Sequence, residues 1–294
     1  MNYTSEACAA LGADIASAGR KESLPLRTFV SFYGRTPAEV AELWELCSHR
    51  ILKTKLKHLF WALMYMKTYV AIDVITVLLD ISYPTLDKWV WAWIEAIASR
   101  HVEIIDWNKR NRNVPDDVWC RVSVDGTDFQ IGEPVPFDKR WKSPKAKGGA
   151  VKYEVAISIY SGDIVWIYGP HRGSKHDYAI FKEKLKALLD AEEAVETDAG
   201  YGYHGVSHDD NIRSRDDFQS DEERREKSDL RARHETCNRR FKQWGILKQQ
   251  FRNDKMKHVL VFYAIAVMTQ MSIDNGNVLF GCEPKTKKEA RYYI

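Results

Sequence analysis

The chain has 294 residues, which is enough for one large domain or two modest ones. Its hydrophobic fraction of 45% is ordinary for a globular protein. A formal net charge of +3 is too small to indicate nucleic-acid binding by itself, so only the local distribution of charge is informative.

The five cysteines are scattered and include no CxxC pair, which argues against a zinc ribbon and favours reduced thiols. The N-terminus lacks a basic segment followed by an apolar core, so we expect no secretory signal. The apolar run 259–268 is shorter than the roughly 20 residues that cross a bilayer. We therefore predict a buried helix there and no membrane partner.

Residues 1–26 are rich in small and polar side chains, and we predict a flexible N-terminus. Residues 27–105 have a helical pattern, in which Thr36 is the expected N-cap of one helix and Pro37 its first residue. Residues 106–118 are polar and contain proline, which predicts a linker.

A helix-turn-helix is predicted inside the helical region, from segments 71–79 and 85–100 and the short turn between them. The second helix of such a motif enters the major groove, which would bring Thr85 and Lys88 to DNA. That segment also carries several tryptophans, including Trp93, and its apolar content equally suits a helix packed in a core. Both alternatives remain open from the sequence.

The remainder of the chain alternates apolar strands and helices. The predicted order is a strand, a hairpin around a Ser-Gly turn, a helix, a strand and a long helix, over residues 119–129, 151–168, 177–189, 194–198 and 228–244. The acid-rich stretch 207–226 is expected to be a solvated surface loop. Asp177 is expected to cap the helix that it begins.

Three carboxylates stand out in this region. Asp125 lies inside the first strand, Asp198 ends the later strand ahead of a glycine-rich turn, and Glu235 lies on the long helix. Hard cations such as Mg²⁺ prefer oxygen ligands, and a metal pair about 3.5–4 Å apart activates one oxygen and stabilises another in phosphoryl transfer. Taken alone, Glu235 also suits a surface ion pair with Arg231 or Arg239.

Two basic runs, within 139–152 and 231–257, flank two of these acids, and such clusters are typical of phosphate contacts. The expected DNA contacts there are Lys139, Arg140, Lys145, Arg231, Arg239, Arg240 and Lys242. His234 and Asn238 are further candidates for contacts around the acids.

Five motifs occur in a specific order: VDGTDF, KYEVAISI, IVWIYGPHRGSKHDYAIF, TDAGYGYHG and RHETCNRRFKQWGILKQQFR. Together they resemble the DDE-superfamily transposases of the Harbinger type, from about Thr28 to Phe280. The resemblance implies an α/β fold, an RNase H-like mixed sheet flanked by helices over residues 119–280, preceded by an all-α helix-turn-helix-like region. It places a basic tail at 281–294.

The resemblance also implies that Asp125, Asp198 and Glu235 are the catalytic metal ligands, holding two Mg²⁺ or Mn²⁺ ions. It selects Asp125, and Asp128, which faces the other side of the strand, is the alternative ligand. The implied activity is a DNA transposase and endonuclease that cuts and joins phosphodiester bonds. Its expected partners are double-stranded DNA at terminal repeats and targets, further copies of the chain and an accessory DNA-binding protein.

The expected location is the nucleus, or the cytoplasm in a source without one. Pro144 and Asn253 stand where relatives often carry histidine, which leaves the activity of this copy open. The alternatives are a domesticated relative that binds DNA or protein without cutting, and a nuclease that only degrades nucleic acid.

Overall fold

The structure is a computed structural model that describes residues 2–116, 118–198, 201, 209–213 and 221–280, without the side chains of 221–224. Its described residues form two compact units, one within Met1–Val102 and Arg240–Thr269 and the other within Glu103–Arg239 and Gln270–Ile294. The expected boundary near residue 105 is close to the observed one. The continuous domain expected over 119–280 is instead divided, because residues 240–269 belong to the helical unit.

The N-terminal part is helical. Its helices are α1 (Ser5–Ser17), α2 (Leu26–Tyr33), α3 (Pro37–Cys47), α4 (Leu56–Thr68), α5 (Ile72–Leu79), α6 (Tyr83–Ala98) and the single turn α7 (His101–Ile104). Helix α4 is buried along almost its whole length, and α6 packs beside it. A helix that is apolar on all sides must be covered on all sides, so α4 forms the centre of this unit.

Helix α1 contradicts the prediction of a flexible N-terminus. The Thr4 hydroxyl accepts a hydrogen bond from the Ala7 N–H at 3.2 Å, and Cys8 and Gly12 are buried. A Cβ on Gly12 would lie 2.3 Å from Cε2 of Phe29, so the missing side chain lets the helix approach closely. Small residues look like those of a loop, but alanine is the best helix former.

The predicted start of α3 is confirmed. The Thr36 side chain accepts a hydrogen bond from the Glu39 N–H at 3.2 Å, and the Glu39 carboxylate accepts one from the Thr36 N–H at 2.8 Å. This reciprocal capping box satisfies two donors that the helix itself leaves unpaired, and Pro37 begins the helix.

The predicted pair of helices at 71–79 and 85–100 is present as α5 and α6, with a three-residue turn between them. Trp93, Ile94 and Ile97 of α6 are fully buried, so the core alternative holds for that face. At its start, Thr85 and Lys88 are exposed, and the Thr85 hydroxyl lies 2.9 Å from that of Ser82. DNA contact by this end of α6 stays a prediction.

The second unit is built on a mixed sheet. The elements after α7 include α10 and most of α11, which belong to the helical unit. In chain order they are β1 (Cys120–Gln130), β2 (Lys142–Ser143), β3 (Gly148–Ser158), β4 (Ile164–Arg172), α8 (Asp177–Glu183), β5 (Ala194–Thr197), β6 (Ile212–Arg213), α9 (Asp221–Lys242), α10 (Gly245–Lys248) and α11 (His258–Asp274). The strand order is β2-β3-β1-β5-β6, and β4 also pairs with β3. Strands β1, β3 and β4 are antiparallel neighbours, whereas β5 is parallel to β1 and to β6. The predicted α/β fold with a mixed sheet and flanking helices is confirmed, and it is consistent with an RNase H-like fold.

The expected linker is packed rather than free. Residues Trp107–Asn111 form a 3-10 helix, and the guanidinium of Arg110 is buried with its Nε 3.0 Å from Oε1 of Glu193. Asp106 caps this turn by accepting a hydrogen bond from the Asn108 N–H. A polar sequence suggested a linker, but Lys109, Arg110 and Arg112 have acidic partners inside the second unit.

Helix α9 begins at Asp221, so the loop expected over 207–226 ends earlier than predicted. Acidic residues in a first helical turn are favoured by the helix dipole, which explains why charge alone misled. The rest of that loop, the Gly200 and Gly202 turn and the tail 281–294 lie outside the described residues, apart from 209–213.

The apolar run at 259–268 belongs to a longer helical segment than predicted. By length and composition the segment Lys255–Asp274 is able to cross a membrane, and 72% of its apolar stretch is buried inside the protein. The core helix of a soluble protein meets the same criterion, so this is weak evidence for a membrane span.

Candidate active site

Two aspartates meet where the parallel pairing of β1 with β5 ends. The register of β1 with β5 ends at Val124 opposite Thr197, and Asp125 and Asp198 each follow directly. Burial raises the pKa of Asp125, and the nearby carboxylates of Asp198 and Asp177 raise it further. The structure therefore brings Asp125 and Asp198 together, as the sequence led us to expect.

Helix α9 reaches the Asp125 face of the sheet through two residues one turn apart. The buried His234 ring has its Nε2 2.8 Å from the Ser123 hydroxyl. The Asn238 side-chain amide donates a hydrogen bond to Oδ2 of Asp125 at 3.4 Å. Residues four apart share a helix face, so these contacts fix the helix against the strand that carries Asp125.

Glu235 is not brought to the two aspartates. Its Oε1 lies 3.3 Å from Nε of Arg231, and the two side chains are 61% and 77% exposed. Glu235 is about 100° around the helix from His234 and about 60° from Asn238, so its carboxylate turns outward. In the part of the chain that the structure describes, no three His, Cys, Asp or Glu residues are grouped to hold a metal ion. The expected convergence of all three acids is therefore absent from this conformation.

Sequence analysis gave Asp177 the wrong role. It is the first residue of α8, but its carboxylate is buried and lies 2.8 Å from the ammonium of Lys152. A Cβ on Gly126 would lie 2.5 Å from Oδ1 of Asp177, so the glycine after Asp125 makes room for this carboxylate. Asp177 is therefore a buried ion-pair partner and not a helix cap. The glycine beside Asp125 was the available signal.

Lys152 was also misplaced, since it was counted in a basic run that contacts DNA. It is buried, and its ammonium donates hydrogen bonds to Asp177 and to the Lys175 carbonyl. Asp128 lies on the same side of the sheet, 4.0 Å from that ammonium, and accepts a hydrogen bond from Ser143. Because Asp128 already has Lys152 and Ser143 as partners, we assign Asp125, not Asp128, as the acid that faces Asp198.

A family model described as DDE superfamily endonuclease matches residues 124–270, which is half of the chain. The chain belongs to the DDE superfamily of endonucleases. The match starts one residue before Asp125 and also covers Asp198 and Glu235. The predicted superfamily is thus confirmed, while the Harbinger type stays a prediction. Comparisons with curated proteins and with solved structures gave no match.

Divalent metals usually accompany DDE-superfamily endonucleases, and the charge around Asp125 fits a cation. The Lys145 side chain is exposed, and partial desolvation of its ammonium alone would lower its pKa, but the carboxylates of Asp125, Asp177, Asp198 and Asp128 raise it above its ordinary value. Several carboxylates thus act together on the Lys145 ammonium. Oxygen donors of this kind suit Mg²⁺ or Mn²⁺, and Asp125 and Asp198 are the two that fit as ligands.

The other residues expected to contact DNA are mostly on the surface of this DDE-superfamily protein. Arg240 is partly buried, whereas the exposed ones are Lys139, Arg140, Lys145, Arg231, Arg239 and Lys242. The Nε of Arg140 lies 2.9 Å from Oδ1 of Asp138, and Arg231 forms the ion pair with Glu235 described above. Their exposure permits phosphate contacts, which remain predictions.

Glu154 makes stability depend on pH. It is buried on β3, where it accepts a hydrogen bond from Trp166 Nε1 at 3.1 Å, and burial raises its pKa to about 8. The folded protein keeps this proton above pH 4.5, where the unfolded chain releases it, so stability falls as pH rises from 4.5 to about 8.

We expect Glu154→Gln to be more stable than the parent protein at pH 8 and nearly equal to it at pH 5. The difference should grow by at most about 1.4 kcal/mol per pH unit between those values. Urea unfolding at both pH values measures it, with the exposed Glu133→Gln as control. Parallel pH profiles for the parent and Glu154→Gln would show that Glu154 titrates normally.

Proposed function

We propose that the chain is a divalent-metal-dependent DNA transposase, which cuts and joins phosphodiester bonds at the ends of its own element. The observation that carries this proposal is the adjacency of Asp125 and Asp198 where the parallel pairing of two strands ends, in a DDE-superfamily endonuclease. From the resemblance, we further propose Harbinger-type ancestry, a multimeric form, an accessory DNA-binding protein and nuclear location.

In this proposal Asp125 and Asp198 hold the metal, and Asn238 orients Asp125 through its amide. Bound metal ions would supply activation of the attacking oxygen and stabilisation of the leaving oxygen. Glu235 would become the third metal ligand if its carboxylate separated from Arg231. An exposed ion pair contributes only about 0–1 kcal/mol, so separating Glu235 from Arg231 costs little.

A second candidate is a DNA- or protein-binding relative that does not cut. The outward position of Glu235 favours it, because two carboxylates without the third leave the metal site incomplete. The basic surface residues would serve such a protein equally well. The two candidates differ in whether Glu235 has a role in cleavage.

Cleavage of DNA that carries the native flanking sequence of the gene separates these candidates. We expect strand cleavage with Mg²⁺, none with chelator, and a severe loss in Glu235→Gln. Arg231→Gln is the matched control, since it breaks the same ion pair but leaves the carboxylate. It removes at most one phosphate contact, so with all the DNA bound it should retain cleavage. Specific DNA binding without cleavage by the parent protein would establish the second candidate instead.

A further inference from the structure

A stack of aromatic rings with a lysine at each end joins α4 and α6 of the helical unit. The ammonium of Lys57 lies 5.3 Å from the Trp61 ring, which lies 4.9 Å from His58. His58 stacks on Trp89 with centroids 3.8 Å apart and planes inclined by 15°. The ammonium of Lys88 lies 4.9 Å over Trp89. The stack therefore sets two cations in defined positions on one surface.

His58 does not neutralise these cations, nor does it add a charge. Its Nδ1 accepts a hydrogen bond from the Lys55 N–H at 3.1 Å. Burial lowers the pKa of His58 to about 4, and Lys57, Lys55 and Lys88 all contribute in the same direction. The ring is therefore neutral at physiological pH, and three lysines act on it from around the stack.

The three lysines, Lys55, Lys57 and Lys88, are called the lysine cluster below. All three are exposed, and across the described ranges none of them forms an ion pair. Asp87, beside Lys88 in sequence, accepts a hydrogen bond from Trp91 Nε1 at 3.0 Å instead. The cation–π contacts of Lys57 and Lys88 stabilise the positions of these two ammonium groups by about 0.5–1 kcal/mol each, without cancelling their charge.

We propose that the lysine cluster binds the phosphate backbone of double-stranded DNA, independently of base sequence. This inference rests on the proposed function, which supplies DNA as the partner. Three ammonium groups with no carboxylate partner in the described part of the chain suit a polyanion, and lysine contacts phosphate as a point charge with freely rotating donors. The cluster includes Lys88 near the exposed start of α6, so it would fix how that helix meets the duplex.

The test compares two triple variants of the full chain, each of which removes three positive charges from the helical unit. One is Lys55→Gln, Lys57→Gln and Lys88→Gln. The matched control is Arg20→Gln, Lys21→Gln and Arg27→Gln, at exposed positions outside the stack. DNA affinity is measured by fluorescence anisotropy over a salt series, with both a native flanking duplex and an unrelated one. Circular dichroism confirms that each variant is folded.

Log affinity falls with log salt, and each phosphate contact makes this slope steeper by about 0.9. The cluster variant should therefore make the slope shallower by about 2–3 on both duplexes. The control should change it by less than about 1. A Lys→Arg triple variant of the cluster should restore the parent slope. Equal slopes for cluster and control variants would overturn the inference while leaving the proposed function intact.

Failure of the parent protein to bind any DNA would overturn the inference and the proposed function together. Binding to an acidic protein with loss only in the cluster variant, and unchanged DNA slopes, would assign the surface to a protein partner and overturn the DNA assignment. Loss of cleavage with an unchanged slope would also count against the inference, because it would mean that the variant disturbs catalysis and not DNA contact.

Discussion

Asp198→Asn should lower DNA strand cleavage at least about 1,000-fold, which corresponds to about 4 kcal/mol of transition-state stabilisation. Asparagine keeps the shape of the side chain but removes the negative charge that a metal ligand beside Asp125 needs. DNA affinity should stay close to that of the parent, since the loss of a negative charge does not remove a phosphate contact. Single-turnover cleavage and anisotropy on the same duplex measure both quantities.

The matched control for this substitution is Asp128→Asn. Asp128 lies on β1 like Asp125, but on the other side of the sheet, where Ser143 and Lys152 are its partners. Its amide variant should retain cleavage within a few-fold of the parent. If the Asp198 variant cuts normally, or if the Asp128 variant is equally inactive, the assignment of the strand acids is wrong.

Lys152→Met should destabilise the protein by about 3–5 kcal/mol, because it leaves the buried Asp177 carboxylate without its cation. Replacing both residues, as Lys152→Met with Asp177→Leu, should recover part of that loss, since Asp177 then leaves no unpaired charge, whereas Asp128 still lacks the ammonium that lies 4.0 Å away in the parent. Urea unfolding of the single and double variants measures the difference.

The exposed pair of Arg231 and Glu235 provides the control, and Arg231→Gln should cost less than about 1 kcal/mol. A loss of similar size in Lys152→Met would indicate that the Asp177 carboxylate is stabilised by other groups. The contrast between these two ion pairs separates the effect of burial from that of charge.

The sequence predicted the parts of the fold that follow from local rules. Alternating apolar residues and a Ser-Gly turn were enough to predict the β3 and β4 hairpin. The parallel pairing of β1 with β5 was an assumption, but once it is granted, Asp125 and Asp198 must meet where that pairing ends. The capping box at Thr36 was likewise visible in the order of residues.

Other features depend on contacts that no local pattern encodes. Helix α9 was predicted, yet its rotation places His234 and Asn238 against β1 and turns Glu235 outward. Asp177 resembled a helix cap because its partner, Lys152, is distant in sequence. The helix formed by residues 5–17 was missed because small residues suit loops as well as close helix packing.

Anomalous scattering from Mn²⁺ in crystals of the full chain tests the central claim most directly. We predict peaks about 2.0–2.6 Å from carboxylate oxygens of both Asp125 and Asp198, with Glu235 turned away from Arg231 toward the metal. The peaks should disappear in Asp125→Asn crystals grown and soaked in the same way. Mn²⁺ bound only elsewhere, or a saturated soak with no peak between the two aspartates, would contradict the claim.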